Sequence, residues 1–422
     1  MFKLNIFNIH TFIRIFFFII FLNYLYFSIR LSLRENAWIA GDWLMNYEGG
    51  ILRRGLSGEI ILLISSILSA NVIYLLVFIQ SSLFFTFLFF FLKILNKKKI
   101  NLLFLFLLLS PATIAFTFYD PLAIGRKEVI FFVFFTIYIT FLLNKLEWSL
   151  IRNLFFFFIG FSFVLIHEIF FFYSTFFIFT KIFYLYKNNI KININYLFNE
   201  LLLIIGSLIA VMVIIFLSSN EPNVENLVCD RLIQSGLTSE ICTGALTEIT
   251  FSKYLNSYKS FGLSEYIISY SYLKTYAITL LLFFSPLIIF LLLQNIKKKE
   301  IYIFMTFLIF QLLFLFSIFI VVNDWGRYLN IFFIFVLIFV SVFFLEEKTK
   351  VTKKINFKNF IFFIILILYI TTWHMPHCCQ KNLGKGLKSF KDRILFRINN
   401  PTKYNDLSRE MILKLLRFNQ HK

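Results

Sequence analysis

Residues 36–60 read NAWIAGDWLMNYEGGILRRGLSGEI, and this stretch places Asp42, Glu48, Arg53, Arg54 and Glu59 between runs built almost wholly of Phe, Leu and Ile. Charges beside a bilayer are costly unless they are paired or used. Three more short stretches have the same character: YDPLAIGRKE at 119–128, the pair His167-Glu168, and NDWGRY at 323–328. Carboxylates of this kind can take a proton from a hydroxyl. Asp42 is the first candidate for that catalytic role, with Glu48 and Glu168 behind it. Guanidinium groups bind phosphate in a bidentate fork and stay charged at every relevant pH. Arg53, Arg54, Arg126 and Arg327 therefore suit a phosphate or pyrophosphate group. Asp120, Lys127, His167 and Asp324 complete the expected substrate-binding set. The bland alternative is that each charge is a solvated helix cap. Its recurrence in four loops, each hard against an apolar run, favours a shared site.

Composition fixes what must position these groups. The chain has 422 residues, 59% hydrophobic and 15% charged, with a mean hydropathy of +0.82. Soluble domains carry about 25% charged residues. Several apolar runs reach the roughly 20 residues that cross a bilayer. The expected fold is all-α: a polytopic membrane protein of about 11 transmembrane helices, with a surface-lying helix in the first outer loop. The 63 Phe residues follow from coding bias and carry no function by themselves. The net charge of +19 does not call for nucleic acid, because the basic residues lie in short linkers and the tail. That is the pattern of loops retained on the cytoplasmic side and of contact with anionic lipid.

Topology follows from the lysines. Lys97 to Lys99, Lys297 to Lys299 and the lysines of 348–358 mark the inner side, so the first loop (35–70) and the large loop (218–271) are expected outside. The stretch 154–186 would be roughly 50 Å long as one helix, so it is expected to break at His167-Glu168. The first span carries no cleavage site and is expected to stay as an anchor. Residues 1–374 form the expected transmembrane domain, and 375–422 a basic tail whose segment Tyr404 to Gln420 has amphipathic spacing. The N-terminus is placed inside and the C-terminus outside. Of the four cysteines, Cys229 and Cys242 share the large loop and suit a disulfide in an oxidising compartment, with two unpaired thiols as the other option. Cys378 and Cys379, beside His374 and His377, lack a second ligand pair at zinc spacing.

The arrangement also carries a resemblance. An acidic residue in the first outer loop, followed by a surface helix, resembles the GT-C superfamily of integral-membrane glycosyltransferases. The combination of DW, YEGG and RRGLSGE is similar to membrane proteins of bacterial surface-polysaccharide clusters, among them Wzy-type O-antigen and capsule polymerases. The resemblance implies a polyprenyl-(di)phosphate-linked glycan donor such as an undecaprenyl carrier, a glycan acceptor, and an inner-membrane enzyme whose site faces the periplasm. Partner proteins of a polysaccharide assembly pathway would accompany it. It also implies Asp42 as the base and Arg53, Arg54, Arg126 and Arg327 as holders of the lipid phosphate. No DXD motif is present, and no cofactor is required where arginines stabilise the leaving group. A divalent cation, where one is used, would take Asp42, Asp120, His167 and Glu168. The competing expectation is a transporter or flippase of a lipid-linked glycan. Such a protein should instead carry its charges near the bilayer midplane, on broken helices related by repeat symmetry.

Overall fold

With no water in a bilayer core, an apolar segment must satisfy its backbone within itself, and a helix does so. The computed structural model describes residues 9–146, 149–218, 223–248, 272–294, 296–319, 322, 324–347, 357–377, 383, 384 and 386. Its elements are all helical, with no strand among the described residues. The chain opens with α1 (Ile9–Leu33), the short α2 (Ala40–Leu44), α3 (Gly55–Leu68) and α4 (Val72–Asn96). The short α5 (Leu102–Leu108) and α6 (Phe116–Tyr119) follow, then α7 (Val129–Ile137), which runs on as a π-turn over Tyr138–Leu142. Next come α8 (Leu150–Ile166), α9 (Phe170–Lys187), α10 (Ile194–Leu217) and α11 (Val224–Gln234). Last are α12 (Tyr272–Leu293), α13 (Lys298–Phe319), α14 (Trp325–Phe343) and α15 (Phe357–Thr372). Asparagines start several of them: Asn71 accepts from the amides of Ile73 and Tyr74, and Asn193 from that of Asn195, as N-cap chemistry requires.

Six helices, α1, α4, α10, α12, α13 and α14, are long and apolar enough to cross a membrane. Shorter apolar helices cover Gly55–Leu68, Val129–Leu142, Leu150–Ile166 and Phe362–Thr372. One helix is unlike the others. The apolar window of α14 is 94% buried, against 28–39% for the other five, so α14 is the centre and they face outward. Ile15, Phe18 and Ile19 on α1, and Phe78, Phe85 and Phe89 on α4, are exposed, as lipid-facing side chains should be. Phenylalanines line the seams around the centre. Phe335 of α14 stacks on Phe135 of α7 at 4.3 Å between ring centroids, and Phe333 on Phe283 of α12 at 4.0 Å. Such pairs are worth about 0.5–1.5 kcal/mol each beyond their area.

Two apolar stretches break. The stretch 154–186 does so where its length demanded, with His167 extended (φ −160°) between α8 and α9. The apolar run 102–118 is likewise two short helices rather than one. Its helix stops at Leu108, and Ser110 and Pro111 follow. The freed carbonyls are covered from within: the Thr113 hydroxyl lies within hydrogen-bond reach of those of Leu107, Leu108 and Ser110 and donates its one proton among them, and Asn330 Nδ2 on α14 donates to those of Ala112 and Thr113 at 2.8 and 2.9 Å. Irregular backbone at membrane depth is tolerated only when so covered.

The lysine-rich linkers gather at one end. Lys99 pairs with Glu346 at 2.8 Å and Lys98 with Glu347 at 3.1 Å. Lys187 Nζ donates to the Phe343 carbonyl, and Lys299 lies over the Tyr186 ring. These contacts join the C-terminal ends of α4, α9 and α14. The N-terminal ends of α9 and α14 hold His167, Glu168, Asp324 and Arg327, so the two groups of charges sit at opposite ends of the bundle. Residues 223–248 fold over the first loop, closed by a Cys229–Cys242 disulfide (Cα–Cα 5.8 Å) and tied down by Arg231 to Glu59 and by the Ala245 amide to the Ala37 carbonyl. The segment after α15 turns back on the bundle. His374 and Gly384 exchange backbone bonds, and the Gly326 amide donates to the His377 carbonyl at 3.1 Å. Most of the expected tail, including 404–420 with Cys378 and Cys379, lies outside the described residues.

Candidate active site

The site is assembled where helices stop. Arg54, just before α3, has a left-handed backbone (φ +61°), which costs a non-glycine residue roughly 1–2 kcal/mol. That bend sets Arg53 and Arg54 side by side. Lys127 and Glu128 end the loop before α7, His167 and Glu168 fill the break between α8 and α9, and Asp324 starts α14 one turn before Arg327. Gly58 lets α3 lie against the end of α2. A Cβ there would collide with the carbonyl of Met45. Asp42 on α2 is thereby brought beneath Arg54.

The contacts are dense. Glu168 takes the Arg54 fork through Nη2 at 2.7 Å and Nε at 2.9 Å, and Arg53 Nη2 at 2.8 Å. Arg54 Nη1 also donates to Asp42 Oδ1 at 3.2 Å. Lys127, fully buried, donates to the carbonyls of Arg54 and Ile166 at 3.0 and 3.3 Å and stands 4.0 Å from Asp42 Oδ1. Arg327 links three neighbours: Asp324 at 2.8 Å, Glu128 at 2.7 Å and His167 Nε2 at 3.0 Å. Asp42 Oδ2 is buried and accepts no hydrogen bond among the described residues.

Burial would raise the Asp42 pKa, but Lys127 and Arg54 overcome that and hold it well below the usual carboxylate range. Glu168 likewise stays ionised against burial, because Arg53 and Arg54 face it. Burial pushes Lys127 down to about 8, with Asp42 opposing the fall. His167 is held neutral by burial, with Arg54 and Arg327 beside it. Arg53, Arg54, Lys127 and Arg327 thus meet Asp42, Glu128, Glu168 and Asp324 as an internally balanced network. Taking ions out of water costs several kcal/mol each, and replacing such pairs by apolar residues often stabilises a protein. Fold stability alone is a weak reason for this network.

Not every expected residue joins it. Glu48 lies apart and half-exposed, against Arg231, which also holds Glu59. Arg126 stands at the network's edge, within electrostatic reach of Arg327, Asp324 and Asp42, and donates to the Trp38 carbonyl at 2.8 Å. Asp120 pairs with His377, Nδ1 to Oδ2 at 2.5 Å, and accepts from the His377 amide at 3.2 Å. No three His, Cys, Asp or Glu side chains gather as a metal-ligand set among the described residues. Glu128 carries no role that the sequence assigns, yet it is the partner of Arg327. The available signal was its place as the last acid before an apolar helix. His377 stands in the sequence only as a neighbour of Cys378 and Cys379.

A narrow cleft of about 40 Å³ opens beside the network. Arg126, Glu128 and Arg327 line its polar side, and Tyr24, Phe84 and Phe132 its apolar side. Its two walls differ, one charged and the other apolar. Compared with known proteins, the chain matches no protein-family model, no curated protein and no solved structure.

Proposed function

We propose that the chain is a membrane glycosyltransferase of bacterial surface-polysaccharide assembly that polymerises or transfers sugars from a polyprenyl-(di)phosphate-linked donor. The observation that carries this reading is the junction of a buried guanidinium–carboxylate network with an apolar-walled cleft, at Arg126, Glu128 and Arg327. A lipid diphosphate has that make-up: an anionic head that arginine forks fit and an apolar tail. In the transfer, an acceptor hydroxyl oxygen bonds to the anomeric carbon while the bond to the lipid diphosphate breaks, the diphosphate keeping the electron pair. Arginines placed at that leaving group stabilise the charge it gathers. Asp42 anchors Arg54 and Lys127 at the centre of the network.

On this reading the short apolar helices supplement the six long ones toward about 11 spans in a GT-C-like arrangement, with α3 along the surface. The lysine end faces the cytoplasm by the positive-inside rule, and the network faces the periplasm. The disulfide in the loop over the site suits that oxidising side.

The test uses the full chain in nanodiscs with a polyprenyl-diphosphate-linked oligosaccharide, reading glycan length by chromatography. Lengthened or transferred product is expected, and Arg327→Gln should lower the rate about 10²–10³-fold, the scale of losing one charge-stabilising donor. A wild-type chain that neither binds nor consumes the lipid-linked sugar would remove the proposal.

A further inference from the structure

Sugar transfer releases the proton of the acceptor hydroxyl, and a base has to take it. Asp42 is the carboxylate the sequence pointed to, but it lies between Lys127 and Arg54. The same cations that keep it ionised make it a weak proton acceptor. Glu168 is bound by two guanidinium groups and has the same weakness. A different pair is free of it.

Resting on the glycosyltransferase reading, we propose that His377, oriented by Asp120, is the general base that takes the acceptor-hydroxyl proton. The geometry carries the assignment. His377 Nδ1 is 2.5 Å from Asp120 Oδ2, so the ring nitrogen on that side holds the hydrogen and the opposite one, Nε2, is left with its lone pair. The same carboxylate oxygen accepts from the His377 amide at 3.2 Å, fixing the residue from two directions. The His377 carbonyl is held by the Gly326 amide at 3.1 Å and by the Tyr276 hydroxyl at 3.4 Å. This clamps the segment after α15 to the start of α14, one residue from Arg327. A Cβ on Gly326 would meet the Pro376 carbonyl, so the approach depends on a glycine there. The pair keeps partial access to solvent, with side chains 13% and 9% exposed, whereas Asp42 has almost none.

Among the described residues the charges facing His377 are Asp120, Asp324 and Arg126. Burial and Arg126 lower its pKa, but Asp120 and then Asp324 outweigh them, so it titrates above the ordinary histidine value. A base must be neutral to act, so transfer should rise with pH through that raised value. In the step itself the hydroxyl oxygen bonds to the anomeric carbon and the proton moves to Nε2. The imidazolium that forms is held by Asp120, and the lipid diphosphate leaves with its electron pair. This division of labour between a carboxylate, an imidazole and a hydroxyl is well established for acyl transfer.

The experiment compares wild type, His377→Gln and Asp120→Asn as full chains in nanodiscs. Rates are followed from pH 5.5 to 9 with a polyprenyl-diphosphate-linked oligosaccharide, and binding with polyprenyl diphosphate alone. His377→Gln should lose about 10²–10⁴-fold in kcat, keep its binding within a few-fold, and lose the acidic limb of the profile. Asp120→Asn still accepts from the His377 amide, so it should fold even where the first variant does not. Its acidic limb should move to lower pH, because the carboxylate that raised His377 is gone. A His377→Gln enzyme at full rate with an unchanged acidic limb would overturn this assignment alone. A wild-type chain without transfer would overturn it together with the reading it rests on.

Discussion

At the scale of single residues, the network is balanced before any substrate arrives. Glu168, a quarter exposed, sits on Arg53 and Arg54 as a phosphate would, so on the proposed reading an incoming diphosphate would have to displace it. Glu168→Gln is therefore expected to tighten binding of polyprenyl diphosphate about ten-fold, read by titration in nanodiscs, because the two forks are no longer held by a charge. Lys127 carries its proton below about pH 8 and loses it above. Binding of the anionic lipid should thus weaken as pH rises through that value, and Lys127→Met should remove the alkaline fall. Much of this set was legible in the chain, since a charge beside an apolar run stands out against its neighbours. What the chain could not show was pairing. Glu48 and Glu168 look alike as loop acids, yet one meets Arg231 at the rim and the other two buried arginines. His377 became visible only once the chain beyond α15 folded back to meet Asp120, 257 residues earlier.

Among the helices, spacing and length revealed most of the long spans and the break at His167. The division of 102–118 stayed hidden, because Asn330, which satisfies two of its carbonyls, lies more than 200 residues away. The most extensive helix contact among the described residues, α8 with α10, depends on two glycines, each facing the other helix's backbone. A Cβ on Gly160 would run into the Leu203 carbonyl, and one on Gly206 into that of Phe157. Small residues let membrane helices approach in this way. Gly206→Leu is expected to cost about 1–3 kcal/mol through overpacking, seen as a lower melting temperature in detergent. Because α8 ends at the His167 break, lipid-diphosphate binding should weaken with it.

Across the whole molecule, two opposed ends define the design: lysines and glutamates at one, the guanidinium network under a disulfide-closed loop at the other. Single cysteines placed at Glu240 and at Lys299, both exposed, should therefore label from opposite sides of intact cells with an impermeant maleimide. Labelling of both from one side would break the assumed topology. Cys229→Ser should lower stability by about 2–4 kcal/mol, the usual worth of such a bridge, and loosen the loop that Arg231 fastens to Glu59. The buried position of α14 bears on biogenesis as well. It is the core around which the bundle packs and it carries Arg327, yet thirteen other helices among the described residues are synthesised before it. Until the ribosome delivers it, the earlier helices must wait in the bilayer with Asn330's carbonyl partners uncovered and Glu128 without its cation. Insertion should then be the stage at which this protein is most exposed to quality-control proteases, so a mutation in α14 is expected to be cleared from the membrane sooner than one in α1, as a pulse-chase would read.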